Sequence, residues 1–138
     1  MSAALSSTQL ALLGRMRNAV LATTGPHGSP HLAPVWYFWD GEAVRISTPH
    51  TTQKVADIVR DPRVALCVDD QVAGDYLTIY GMATVVDGQE VAALTSPLLS
   101  RYFHPDEASA RWNRIDANHS RVVILVTPVS VTGREGVK

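Results

Sequence analysis

The sequence predicts a mainly β domain, a closed or nearly closed antiparallel barrel of six or more strands with peripheral helices. Three observations carry this reading. Roughly six runs rich in β-branched and aromatic residues recur between Gly, Pro and Asp turn signals. A single stretch of helical period separates the third run from the fourth. So many strands would leave exposed edges unless the sheet closes on itself.

The elements follow in order. Ser6 or Ser7 can cap a first helix that carries Leu10, Leu13 and Met16 on one face, with Gly14 near its end. Asn18 to Thr24 reads as a strand, and Gly25 to Ser29 as a Gly- and Pro-containing turn. Pro30 to Trp39 (PHLAPVWYFW) reads as one second strand. On a continuous strand Trp36 and Phe38 share one face, and Tyr37 and Trp39 the other. Asp40-Gly41 signals a tight hairpin into a third strand, Glu42 to Thr48, whose alternation leaves one face wet.

After Pro49 the period changes. Val55, Ile58 and Val59 have the spacing of an amphipathic helix, which Asp61-Pro62 ends. Arg63 to Val68 and Tyr76 to Val86 are the next strands, with Gly81 marking a bulge or bend in the longer one. Gly88 to Tyr102 reads as helical with an interruption at Pro97, and a short helix follows Pro105. Arg121 to Val131 is the final strand, and Pro128 puts its far part at an edge.

A chain of 138 residues suits one domain, residues 1–138, without repeats or linkers. Twelve Lys and Arg against thirteen Asp and Glu give a net charge of −1, which lacks the basic excess of a nucleic-acid binder. The apolar patch at Leu10, Leu12 and Leu13 has no basic segment before it, so no signal peptide is expected. Nor does any stretch reach the roughly 20 apolar residues of a membrane span. The lone Cys67 fits a reducing compartment, and the expected location is cytoplasmic.

Most catalytic signatures are missing. His27 and His31 are four apart, but Pro26, Gly28 and Pro30 rule out the helix that would bring them onto one metal, so no metal is expected. His50, His104 and His119 read as surface residues, and Cys67, between Leu66 and Val68, as a buried small hydrophobe. Lys54 conflicts with its surroundings. If Thr51 or Thr52 caps the helix, this cation sits in the first turn, where the macrodipole is already positive. Free N–H groups, Thr hydroxyls and an ammonium together make a phosphate cradle, although on physics alone a solvated lysine is the commoner reading.

The run NAVLATTGPHGSPHLAPVWYFWDGEAVRISTPHTTQKVADIVRDPRVALCV resembles the pyridoxamine 5′-phosphate oxidase-like split-barrel superfamily of flavin- and deazaflavin-binding proteins. It is most similar to small actinobacterial members that use the deazaflavin coenzyme F420. The resemblance implies an FMN-binding-type split barrel and a homodimer with cofactor sites between subunits. It implies that Lys54 contacts the cofactor phosphate, with Thr51, Thr52 and Gln53 beside it, and that Ser47 and Thr48 line the ring and ribityl chain. It further implies that His31, Pro34, Val35 and Trp36 border the ring, while Tyr76 and Trp112 are candidates for contacts from the second subunit.

Two departures from the family pattern shape the expectation. Thr52 stands where many relatives have an Arg, leaving Lys54 as the one obvious cation. That favours F420, whose phosphate and glutamyl tail can seek other basic groups such as Arg60. The closing GREGVK lacks the arginine-containing substrate motif of pyridoxamine phosphate oxidases, so vitamin B6 synthesis is not expected. The expected function is an oxidoreductase in which reduced F420 passes a hydride to a conjugated small-molecule acceptor, with the catalytic side chain unassigned. The alternatives are an FMN-dependent oxidase or reductase, or a non-catalytic flavin- or haem-binding protein.

Overall fold

Ser6 starts the first helix as its sequence predicts. In the computed structural model, which describes residues 3–134, helix α1 spans Ser7–Arg15. The Ser6 hydroxyl accepts from the Gln9 N–H at 3.2 Å while the Gln9 side chain accepts from the Ser6 N–H at 2.9 Å. Strands β1 (Ala19–Thr24) and β2 (Pro30–Val35) follow as an antiparallel hairpin. Its turn uses Gly28 at φ +83°, a conformation open chiefly to glycine.

The long second strand is in fact two. β2 stops at Val35, and β3 is only Phe38–Trp39. Between them Tyr37 turns inward and becomes fully buried, its hydroxyl donating to the Leu13 carbonyl at 2.7 Å. Trp36 stays outside, 40% exposed. β2 pairs only with β1 and β3 only with β4 (Val44–Pro49), so these two residues carry the chain from one sheet edge to the other. β4 begins at Val44 rather than Glu42, because the Asp40 carboxylate takes the N–H groups of Glu42 and Ala43 at 2.8 Å each and holds them in the turn.

Helix α2 (Gln53–Arg60) precedes β5 (Arg63–Asp70) and β6 (Asp75–Val86). A 3-10 turn leads into α3 (Val91–Tyr102), then α4 (Pro105–Ile115) and β7 (Arg121–Arg134). The expected interruption at Pro97 does not occur. The bond Pro97 cannot make would go to the carbonyl of Ala93, on the exposed side of α3, so the helix runs through.

All seven strands form one antiparallel sheet in the order β2-β1-β5-β6-β7-β4-β3. Its two outermost strands are neighbours in sequence, joined through two residues. The sheet must therefore curl until its edges nearly meet, which makes the half-barrel. Leu21, Ile46, Leu66, Val68, Leu77, Ile79, Ile124 and Val126 fill the interior, and Leu12, Leu13, Val55 and Ile58 of the first two helices pack into it. The bulge expected at Gly81 is present as a register shift, and a Cβ there would lie 2.5 Å from the Thr127 carbonyl. The β4–β7 ladder ends at Val44–Val126, so Pro128 falls where β7 keeps only β6 as a strand neighbour among the described residues, and its carbonyl accepts from the Ala3 N–H at 2.9 Å.

The opposite face of β1, β2, β5 and β6 points outward. Leu32 lies across from Ala22, Ala22 from Ala65, and Ala65 from Tyr80. Val20, Leu32, Tyr80 and Met82 are each more than 40% exposed on this face. No described helix is long and apolar enough to cross a membrane. Residues 135–138 of the closing GREGVK lie outside the described residues.

Candidate functional site

The corner where β4 hands over to α2 gathers Ser47, Thr48 and Thr51 to Lys54. Thr52 is the N-cap by backbone geometry, but its hydroxyl donates to the Pro49 carbonyl at 3.1 Å and lies 3.3 Å from the Thr48 hydroxyl. No side chain caps the first turn of α2, so its N–H groups and positive dipole end are left for another acceptor. Thr51 is exposed and Thr48 buried. Gln53, the first helical residue, sends its amide to the Asp57 carboxylate at 2.7 Å. Next comes Lys54, half-buried, without a hydrogen bond or ion pair among the described residues. Burial, and then the charge of Arg121, hold its ammonium below the ordinary lysine value.

Arg121 is the residue that the sequence reading missed. It opens β7 opposite Pro49, and its Nη2 and Nε donate to the Ser47 hydroxyl at 2.9 and 3.3 Å. No carboxylate of a described residue lies within 4.0 Å of its guanidinium. Asp116 binds the Arg121 backbone N–H at 3.3 Å and attracts the side chain only at longer range. Burial lowers the Arg121 pKa most, Asp116 opposes this, and the nearby charge of Arg111 adds to the lowering. Lys54 is therefore not the one cation at this corner, because strand pairing brings Arg121 to it.

Ser47 and Arg121 also line a cleft of about 150 Å³ with Arg111 and Trp36, walled by apolar side chains of α3 and α4. Trp36 stacks on Tyr102 with centroids 4.5 Å apart and planes 5° apart, and Phe103 meets it at a tilt. Arg111 lies 5.1 Å from the Phe103 ring. A clamp fixes this arrangement. Arg101 donates to the carbonyls of Tyr37 at 2.7 Å and Leu13 at 2.9 Å, and to that of Met16, while the Tyr102 hydroxyl accepts from the Tyr37 N–H at 3.0 Å. The C-terminal end of α3 thus holds both the Trp36–Tyr37 link and the end of α1.

The other predicted residues take different places. Val35 is buried in the core, and Pro34 lies on the outward face opposite Val20. His31 approaches Asp57, with Nδ1 3.5 Å from the carboxylate. Asp57 itself is fully buried and accepts from Thr23 at 2.7 Å and Arg60 at 3.0 Å as well as from Gln53. Burial alone would raise its pKa; the three donors outweigh that and hold the carboxyl below its usual value. Arg60 is committed to Asp57 and the Thr24 carbonyl. Tyr76 lines a separate cleft beside Ser6 and Gln9, and Trp112 one that Arg121 also borders. The Gln53–Asp57–Arg60 set was readable from helical spacing, whereas Arg121 had no local signal. No group of His, Cys, Asp and Glu among the described residues could hold a metal ion.

The chain's relatives agree with this architecture. A family model described as Pyridoxamine 5′-phosphate oxidase matches residues 7–134. None of the curated proteins matches the chain. Among solved structures, a conserved hypothetical protein from Mycobacterium tuberculosis superposes with a TM-score of 0.82 at 25% identity, over 96% of this chain and 86% of that one. An F420 reductase superposes with a TM-score of 0.74 at 27% identity, over 93% of this chain and 98% of that one. General Stress Protein 26 from Bacillus anthracis shares the fold with a TM-score of 0.68 at 20% identity, over 90% and 88% of the two chains. With the family match spanning nearly all of the described half-barrel, the chain belongs to the pyridoxamine 5′-phosphate oxidase family.

Proposed function

We propose that this protein is an oxidoreductase that binds coenzyme F420 and reduces a conjugated organic acceptor. The observation that carries the reading is Lys54, a half-buried cation without a hydrogen bond or ion pair among the described residues, at the start of α2, where Thr52 makes no side-chain cap. A buried charge left unpaired is costly, so the site suits an anionic ligand. The Trp36 indole has one face on Tyr102 and is 40% exposed, which suits a planar ring. Lys54, Ser47 and the α2 N–H groups would hold the phosphate, and Trp36 would border the ring. When bound, the reduced cofactor supplies the hydride. The residues described here bind, orient and exclude water; none is assigned the proton. The likeness to an F420 reductase over nearly its whole length supports F420 over FMN.

The active unit is a homodimer in this reading. A cleft of about 150 Å³ is smaller than the roughly 300–1,000 Å³ of small-molecule sites, so one chain provides only part of the walls. The outward apolar face around Val20, Leu32, Tyr80 and Met82 offers a second copy its seat. The free thiol of Cys67 accords with a cytoplasmic location.

The test is a titration of purified protein with F420, FMN and riboflavin, followed by fluorescence. F420 is expected to bind, and Lys54→Ala to weaken both phosphorylated ligands while leaving riboflavin unaffected. Tight FMN binding without F420 binding would transfer the reading to the FMN-dependent alternative. Turnover of reduced F420 with quinones and enones then separates an enzyme from a carrier.

A further inference from the structure

The geometry points to an anion site wider than one phosphate, in which Arg121 and Arg111 form a second anchor beside Lys54 and the ligand carries at least two anionic groups. The inference rests on reading Lys54 as an anion contact and extends it to residues on β7 and α4. Three cations from three elements border this corner: Arg111 and Arg121 line one cleft, and Arg121 pairs opposite Pro49, just before the helix that carries Lys54. None has a carboxylate of a described residue within 4.0 Å. Arg121 is the middle member. Its charge acts on Lys54 on one side, and it feels Arg111 on the other.

Among the described residues, the only side-chain hydrogen bonds of Arg121 go to the neutral Ser47 hydroxyl, which orients the guanidinium without cancelling its charge. The Arg111 side chain has no hydrogen bond among the described residues and lies over the Phe103 ring. Asp116 attracts the Arg121 guanidinium from beyond 4.0 Å, while its carboxylate accepts from the Arg121 backbone N–H and lies 3.7 Å from His119. Like charges held together repel, and the natural relief is a ligand that spans them. One phosphate at the helix start would satisfy Lys54 and Arg121 and leave Arg111 unmatched. A phosphodiester bearing carboxylates, or a chain of phosphates, would reach all three. Arg111 and Arg121 line the same cleft as Trp36, so the second anionic group lies on the α4 side of the ring platform.

Inorganic anions test this without any flavin. The full-length protein is titrated calorimetrically at low ionic strength with phosphate, pyrophosphate and tripolyphosphate. Tripolyphosphate is expected to bind at least about tenfold more tightly than phosphate, the gain of roughly one additional charge-assisted contact. Arg111→Gln should erase most of that difference while leaving phosphate binding near its original value. Arg121→Gln should weaken all three anions, and Arg121→Lys should restore much of the loss.

Equal affinity for the three anions, or unchanged affinity in Arg111→Gln and Arg121→Gln, overturns the inference. The Arg111 side chain makes no hydrogen bond among the described residues, so its variant keeps the test open even if Arg121→Gln does not fold. Anion binding with this pattern but without binding of F420 or FMN would sustain the wide site and remove the cofactor reading. Flavin binding that is indifferent to Arg111 and Arg121 would do the reverse.

Discussion

The Arg101 guanidinium lies 4.3 Å from the centroid of the Tyr37 ring and donates to the carbonyl of the same residue at 2.7 Å. One side chain thereby grips both the body and the backbone of the residue that joins the sheet edges. Arg101→Met removes hydrogen bonds to three carbonyls together with the ring contact. A loss of about 2–4 kcal/mol is expected by urea denaturation. Emission of the Trp36–Tyr102 stack should shift before the global transition. A variant that loses no stability would show that the clamp is ornamental.

Glycine substitutions should act in opposite directions at two positions. At Gly81 a methyl group meets the Thr127 carbonyl at 2.5 Å and a Val126 methyl at 2.9 Å, so Gly81→Ala should cost roughly 1–3 kcal/mol. At Gly14, in α1, nothing lies within 4 Å, and Gly14→Ala should gain about 0.4–1 kcal/mol. Thermal melting of the two variants checks the signs.

Stability should fall on the acid side in a way that depends on Asp57. Its folded-state pKa lies below the unfolded value near 3.9, so its contribution is complete above about pH 4–5. The contribution disappears as pH falls through the folded value. Asp40 and Asp70 are also held low and share this behaviour, so Asp57→Asn should flatten the acid limb only in part. At pH 7 the same variant should be less stable by about 3 kcal/mol, since Arg60 loses its carboxylate and a neutral amide replaces a buried acceptor. Urea titrations at pH 3 to 7 measure both effects.

Trp36 and Lys54 should separate ring from phosphate. Trp36→Ala is expected to weaken F420, FMN and riboflavin alike, by roughly three- to tenfold, the worth of one aromatic stacking contact. Loss confined to the phosphorylated ligands would remove the indole from the ring site.

The outward sheet face predicts an assembly. Val20→Glu combined with Leu32→Glu places charge on two of the four exposed apolar positions of this face without touching the interior. Sedimentation should change from dimer to monomer, and cofactor affinity should drop with it. A monomeric parent protein would remove the homodimer from the proposed function.

Much of this architecture was legible because its signals are local. Asp40-Gly41 marked the hairpin, the Val55–Ile58–Val59 spacing marked α2, and Gly81 marked the bulge. The break at Trp36 and Tyr37 was not legible, because an aromatic run has the composition of an uninterrupted strand whether or not its neighbours change. What turns Tyr37 inward lies in α1 and α3, at Leu13, Met16 and Arg101. Lys54 stood out through its conflict with the helix dipole. Arg121 could not, since its meeting with Ser47 spans 74 residues of chain and comes from strand pairing.

The place of β7 in the sheet also sets a timetable. The last of these seven strands to be synthesised lies between β6 and β4, and among the described strands it alone joins the β3–β4 pair to the rest of the ladder. Until residues 121–134 leave the ribosome, the β4 edge and the outer edge of β6 both stand open. The nascent chain therefore carries two unsatisfied strand edges until β7 emerges, and Arg121 reaches the corner of α2 only then. Completion of the barrel and completion of the cationic corner are a single late event.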